Sequence, residues 1–509
     1  MKYTILLLNI IFLYTNSYAQ NKRDYIWLFG FTDQEPNTPG TQSFVFDFNK
    51  KPFKPRKSDI GLGIASNNVS ICDKNGNLLF HSNGCAVLNA EHKVMPNGDS
   101  INPGYFFDTY WEGDCNNGYP GTQNILILTD PANQNGYYII HKIILKKKEK
   151  PTYYQDILYT YVDMTLDNGK GDVVKKNIVF YDDKKPLGSY LTAIRHANSK
   201  DWWILQPLRD TNLYATFLLD QNGLQLIKEQ QIGKVFDRNA SASGTATFSP
   251  DGTKYAYYNE SDGLLLFDFD RNSGMLSNYR RVVPFDIMGY GIFCSVEWSP
   301  NSRFVYTATS TKLHQIDTWE EDLQDGVRLI DTYDGTRNPF FNGFFLMALA
   351  PDCRIYMCST NGNRTYHVIN KPNELGKECD FVQNGIVLPY YEGGSMPNFP
   401  RWRVDEEDKC DSTIVSVFGD YVYYRRDLEV YPNPSEGIFN VRIPDGLGKS
   451  TLVVTNINGE IIKKWEISGI FKERQIDITG FPIGHYNIDM YPEKNPDRIV
   501  YSRQVVKVE

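Results

Sequence analysis

Short apolar runs of four to eight residues, rich in tyrosine, valine, isoleucine and phenylalanine, alternate with clusters of Gly, Pro, Asn, Asp and Ser along most of the chain. This pattern predicts strands joined by tight turns rather than helices. It also repeats. TFSPDGTKYAYY from Thr247, EWSPNSRFVYTA from Glu297 and ALAPDCRIYMCS from Ala348 each contain a strand, a proline-centred turn and a second strand. Their prolines, Pro250, Pro300 and Pro351, lie 50 and then 51 residues apart. A further strand follows in each unit: GLLLFDFD (263–270), KLHQIDTW (312–319) and TYHVIN (365–370). Weaker copies, SICDKNGNLLFHSNG, LTDPANQNGYYIIHKIIL and RHANSKDWWILQPL, precede them around residues 75, 134 and 199. WEEDLQDG (319–326) is the best helical segment, and it is short.

Units of 40 to 55 residues with about four strands each are the signature of propeller blades. Six units are plain between residues 65 and 390. DYIWLFG and QSFVFDFN at the front and MPNFPRWRV at the back supply the rest, and strands from both ends are expected to complete one shared blade. Dividing residues 25–405 by the period gives seven blades, with six or eight as the alternatives. Two tandem sandwiches would leave the period unexplained. After Arg403 the pattern changes. VDEEDKCDSTIV (404–415) is polar and acidic, as linkers are. Strands then resume in LEVYPNPSEGIFNVRI (428–443), STLVVTNINGEIIKKWEI (450–467), RQIDITGFPIGHYNIDMY (474–491) and RIVYSRQVVKVE (498–509). Their spacing predicts a small Ig-like β-sandwich, with Asn458-Gly459 at a hairpin. The expected class is all-β: a propeller over 20–405, a linker over 406–427 and a sandwich over 428–509.

Composition narrows the classes. The chain has 509 residues, 41% hydrophobic, 22% charged and 14% aromatic, enough apolar material for packed cores and too much for disorder. Its net charge of −8 argues against nucleic-acid binding. Residues 1–19, MKYTILLLNIIFLYTNSYA, carry Lys2, an apolar run and a small-x-small site at Ser17 and Ala19, the layout of a signal peptide cleaved before Gln20. No cysteine stands at the cleavage site, where Gln20 is the first mature residue, which argues against a lipid anchor. No other apolar stretch reaches the ~20 residues of a membrane helix; GFFLMALA (343–350) is the longest.

Export makes cysteine pairing plausible. Cys353 and Cys358 flank RIYM in one strand, roughly 16 Å apart, beyond the ~7 Å a disulfide spans. Cys294, Cys379 and Cys410 are alternative partners. Cys72 and Cys85, close around a hairpin, are the candidate pair. There is no CxxC or HExxH, so no metal is assigned, and no cofactor is expected.

The tail resembles the C-terminal sorting domain (type A) of the type IX secretion system. The resemblance rests on YPNP (Tyr431, Pro432, Asn433, Pro434), Gly437 and Phe439, then TNINGEII with Asn458 and Gly459, then IDITGFPIGHYNIDMY with Gly484, and the closing strand QVVKV. It implies export through the type IX machinery, recognised through residues 428–509, to the extracellular space or outer cell surface. The body resembles secreted propeller proteins of WD40/YVTN-like repeat found ahead of such domains. The matching segments include DKNGNLLFHSNG (73–84), YVDMTLDNGKGDV (161–173) and GGSMPNFP (393–400). GYFFDTYWEGDCNNGYPG (104–121) and LKKKEK (145–150) depart from that pattern as insertions.

No residue-level activity follows. GxSxG is absent, and SPDGTKYAY stops short of a sialidase Asp box. His196, before Asp201 and Trp202, reads as a blade-structuring histidine; Asp73, Asn75 and Asn77 read as a hairpin turn that a Ca²⁺ ion could also use. Glu297, Asp268 and Asp270 are carboxylates expected to face outward. The expected function is extracellular binding or adhesion without catalysis, the alternative being a secreted glycan- or peptide-acting hydrolase. Tyr105, Tyr110, Trp111 and Tyr119 of the insertion are the candidate ligand-binding residues, for a glycan or protein.

Overall fold

The computed structural model describes residues 21–509 apart from 33–39, 65–66, 111, 146–152, 183–186, 189, 236–243, 260, 284–292, 338, 361, 412–413, 415–425, 444–448, 469–471 and 493–500. The signal-peptide segment, Trp111 and the tip of LKKKEK therefore lie outside the described residues.

Seven antiparallel sheets follow one another, each built from consecutive strands. Blade 1 comprises Ile26–Gly30, Ser43–Asp47 and Arg56–Lys57; blade 2 comprises Val69–Cys72, Leu78–Ser82 and Val87–Asn89. Five four-stranded blades then run over Ile125–Tyr181, Thr192–Gln231, Thr245–Val282, Ser295–Thr332 and Met347–Val387. The repeat prolines sit just after the innermost strands Thr245–Phe248, Ser295–Trp298 and Met347–Leu349, where a residue without an amide proton costs no ladder bond.

Burial explains why the inner strands read as unbroken apolar runs. Blade packs on blade, so both faces of Phe304–Ala308 and Thr365–Ile369 are covered, whereas the outer strand Gly223–Gln231 is largely exposed. The ring closes where blade 1 meets blade 7. There Trp27 stands edge-on to Tyr356 at 6.0 Å and Phe29 to Tyr366 at 5.5 Å, within one aromatic-rich core. WEEDLQDG folds as successive turns rather than a helix, with Leu323 tucked between blades 5 and 6.

Two expectations fail here. MPNFPRWRV completes no shared blade: it joins no ladder, and its Arg401 makes a lone parallel bridge to Ile194. Pro397 and Pro400, three residues apart, deny it the amide donors a central strand requires. Cys72 does not pair with Cys85. The strand Leu78–Ser82 carries the chain to the opposite end of the blade, about 17 Å from Cys72, which stays a buried free thiol. Cys85 instead pairs with Cys115, and Cys353 with Cys410, at Cα separations of 5.3 and 5.1 Å. Cys358, Cys294 and Cys379 are buried thiols.

The C-terminal segment folds as a two-sheet sandwich. A five-stranded sheet places Tyr501–Lys507 between Arg426–Asp427 and Gly484–Pro492, followed by Ser450–Asn456 and Ile461–Ile467. The facing sheet is Val430–Tyr431, Ile438–Arg442 and Glu473–Asp477. Phe439, Val441, Leu452, Val454, Ile476, Ile488 and Val505 form its core.

Candidate functional site

Propellers offer two places for a ligand, the central channel and the loops at its mouths. Here the chain fills its own channel. Residues 396–404 lie against the innermost strand of blade after blade. Phe399 packs 6.1 Å from Trp27 of blade 1, and the Asn398 amide donates to the Asn68 carbonyl at the entry of blade 2. The Asn398 side chain donates to the carbonyls of Ile125 (2.9 Å) and Leu191 (3.1 Å), at blades 3 and 4. Arg401 donates to the Phe248 carbonyl at 2.7 Å and the Thr247 hydroxyl at 2.6 Å in blade 5, and pairs with Glu297 of blade 6. Glu297 also accepts from the amides of Trp298 (2.7 Å) and Leu349 (3.1 Å), reaching blade 7. Glu297 therefore faces inward, buried and fully engaged, contrary to the outward placement expected of it.

Upstream of this segment, Glu392 is wholly buried. It accepts from the Ser359 hydroxyl at 2.9 Å and from the Gly394 amide, and burial pushes its carboxyl up to about 8 against those hydrogen bonds. Within the segment, Trp402 stands edge-on to Trp202 at 4.9 Å, and the Arg195 guanidinium lies 3.9 Å from the Trp202 ring. Sequence reasoning missed this whole plug. Its signal was present, because Asn398, Arg401 and Arg403 interrupt an apolar run that two prolines already bar from a sheet.

The connections around the channel differ in length. Those leading into innermost strands, 90–124, 182–191, 232–244, 283–294 and 333–346, are long, while the turns leaving those strands are short. The insertion belongs to the first of them. Tyr105 is half-buried and edge-on to Phe106 at 6.0 Å; the Tyr110 side chain and all of Trp111 lie outside the described residues. Tyr119 is not available to a ligand. It is 3% exposed, its hydroxyl accepts from the Ile144 amide at 2.7 Å, and its carbonyl accepts from Asn67 at 2.6 Å. It anchors the insertion, as does the Cys85–Cys115 disulfide, while Asp114 caps the Cys115 turn by accepting from the Asn116 amide.

The remaining candidates have structural partners. His196 accepts from the Asn198 amide through Nδ1 at 3.0 Å and stacks on Trp203. Asp73 accepts from the amides of Asn75 and Asn77 and from the Asn77 side chain, closing its hairpin. Asp268 takes the Asn278 side chain, and Asp270 takes Ser273 and Asn272. Among the described residues no group of three or more His, Cys, Asp or Glu could hold a metal ion, and no helix is long and apolar enough to cross a membrane.

In the terminal sandwich the YPNP segment docks on the closing strand. Asn433 accepts from the Val506 amide at 2.8 Å and donates to the Gln504 carbonyl at 3.0 Å, doing with its side chain what Pro432 and Pro434 cannot do with their nitrogens. Gly437 has φ +115, and a Cβ there would meet the backbone of Thr479 at 2.9 Å. Asn458-Gly459 turns the hairpin between Ser450–Asn456 and Ile461–Ile467, with the Gly459 amide on the Asn456 carbonyl at 3.0 Å. Gly484 opens the long strand that pairs with Tyr501–Lys507.

A seven-bladed propeller with a plugged channel, followed by a sandwich whose proline-rich entry is sewn to its last strand, defines a class of exported, sorted propeller proteins. Residues 429–504 match the family of the secretion system C-terminal sorting domain, so the chain carries a type IX sorting domain that interacts with that machinery and delivers it to the cell surface or extracellular space. No curated protein matches the chain. Similar solved structures include a protein from Lactobacillus plantarum, at 12% identity over 73% of this chain and 98% of that one with a TM-score of 0.42. A proposed 6-phosphogluconolactonase from Bacteroides uniformis is similar at 12% identity over the same shares, with a TM-score of 0.44. The fold assignment rests on the sheets themselves.

Proposed function

We propose that the protein is an extracellular binding or adhesion protein that acts without catalysis, using the long connections at one mouth of the propeller, the 104–121 insertion among them. The observation that carries this reading is the plug. With residues 396–404 occupying the channel and Glu297 committed to Arg401, a ligand is met by the mouth and not by the channel interior. Half-buried Tyr105 and Phe106, fixed from below by Tyr119 and by the disulfide, suit contact with a sugar ring or a peptide side chain.

The test has two parts. Intact masses of the protein from medium and surface fractions are measured separately; loss of residues 1–19 and of the sorting domain, with added mass on the surface form, supports attachment and adhesion. The mature protein and a Tyr110→Ala/Trp111→Ala variant are then compared for binding to whole cells and extracted surface polysaccharide. Loss of binding at an unchanged melting temperature supports the insertion as the site, and persistence removes it. Conversion of polymer by the purified protein, with or without chelator, would replace adhesion by hydrolysis.

A further inference from the structure

The outer rim between blades 5 and 6 carries a feature that neither the plug nor the insertion uses. Trp319, opening the turns that follow Lys312–Asp317, leaves 68% of its surface to solvent. Its indole is nonetheless held. The Arg303 guanidinium lies 4.5 Å from its ring centroid, Asp317 grips Arg303 through both carboxylate oxygens at 2.6 to 3.2 Å, and Asp317 also accepts from the Trp319 amide at 3.1 Å. A flat, exposed ring is thus restrained before any ligand arrives, which lowers the entropic cost of ordering it on binding.

Next to it in the chain, Glu321 and Asp322 line a cleft of about 440 Å³ with Arg280, Arg281 and Leu323. Leu323 is buried and is its apolar member. Arg281 is oriented by donating through Nε to the Asp262 carbonyl at 2.8 Å, and Arg280 pairs through Nη2 with Asp268 at 3.7 Å while its buried Nε makes no hydrogen bond. Two arginines and two carboxylate side chains thus line one small space. An anion would meet the carboxylates and a cation the guanidinium groups, so neither net charge is favoured. Vicinal hydroxyls, which donate and accept in turn, satisfy both kinds of group, and the C–H face of a pyranose covers an indole.

We propose that Trp319 and the adjoining cleft form a binding subsite for a neutral oligosaccharide. The site lies on blades 5 and 6, whereas the insertion joins blades 2 and 3, so it stands even if the insertion binds nothing. The test is isothermal titration of the mature protein with cellohexaose, maltohexaose, mannohexaose and xylohexaose, with trigalacturonate as the charged control. Saturable binding of at least one neutral hexaose is expected. Trp319→Ala should weaken it by about tenfold or more without moving the melting temperature. Glu321→Gln, at an exposed side chain, should also weaken it and carries the test if Trp319→Ala does not fold. Absence of binding to all four hexaoses, binding unchanged in the folded variants, or binding to trigalacturonate alone would overturn the proposal. Loss of cell binding in the Tyr110→Ala/Trp111→Ala variant with hexaose binding intact would separate this site from the insertion.

Discussion

Arg403 holds Asp24 across 379 residues of sequence with both terminal guanidinium nitrogens, at 2.5 and 2.7 Å, and both side chains are less than a tenth exposed. One partner precedes the first strand and the other ends the channel plug, so the pair fastens the two ends of the propeller in the absence of a shared blade. Arg403 further donates to the carbonyls of Asn21 through Nη1 and Lys409 through Nε.

Asp24→Ala leaves that guanidinium buried without its counter-ion, and breaking such a pair costs about 3–5 kcal/mol. Denaturant titration of the mature protein, followed by tryptophan fluorescence, should show the propeller midpoint fall accordingly. Asp24→Ala/Arg403→Met should recover part of the loss. An unchanged midpoint would mean that the aromatic core between blades 1 and 7 closes the ring unaided.

Glu392 gives stability a pH dependence of defined sign. Burial raises its carboxyl to about 8 from an ordinary 4.5, so between those values the folded chain keeps a proton that the unfolded chain has released. Its contribution is complete below pH 4.5 and is lost as pH rises through about 8. Buried neutral His81 and His141, pushed down to about 3 by desolvation, act in the opposite direction, their contribution fading as pH falls below 6.5. Thermal melts from pH 5 to 9 should show a shallower loss of stability between pH 5 and about 8 in Glu392→Gln than in the parent chain, buried Asp352, raised to about 6, keeping a decline of the same sign in both.

The two disulfides staple different things. Cys353–Cys410 closes a 57-residue separation and holds the chain leaving the plug to the blade 7 turn, where buried Asp352 accepts from the Tyr356 hydroxyl at 2.6 Å. Cys85–Cys115 holds the insertion to blade 2. Cys353→Ser/Cys410→Ser should lower propeller stability by about 4 kcal/mol in the chain-entropy estimate. Cys85→Ser/Cys115→Ser should instead raise proteolytic cleavage within 104–121, whose Tyr and Phe residues are chymotrypsin sites, read by mass spectrometry of a limited chymotrypsin digest.

The sequence made the blades legible because each repeat must present the same turn at the same height, and Pro250, Pro300 and Pro351 mark it. The sorting domain was legible for the same reason: Asn433, Gly437 and Gly459 each answer a local backbone demand. Pairings set by the closed ring were not legible. Arg401 meets Glu297 and Arg403 meets Asp24 only after every blade has turned the chain by its share, and nothing local to either residue records the partner. Cys72 misled for a related reason, since proximity in sequence says little when a five-residue strand intervenes. Tyr119 looked like a binding aromatic because a loop anchor and a ligand platform use the same side chain, and only burial tells them apart.

Gly437 offers the sharpest test of the link between sandwich fold and export. Its φ of +115 is one that L side chains rarely adopt, and a Cβ would press on the Thr479 amide nitrogen and Cα at 2.9 Å. Neither atom can give way, because Ile478 donates to the Gly437 carbonyl at 2.8 Å and the Lys507 ammonium donates to the Thr479 carbonyl at 2.6 Å. Gly437→Val therefore pushes the Val430–Tyr431 and Ile438–Arg442 hairpin away from Glu473–Asp477 and the turn that follows it, while the propeller, over 20 residues upstream of the sandwich, keeps every contact described for it. The expected result is a chain lacking its signal peptide but retained in the periplasm with its tail uncleaved, and a propeller melting transition unchanged from that of the exported protein. Export of Gly437→Val at the normal level would mean that the machinery reads an extended tail and not the folded sandwich.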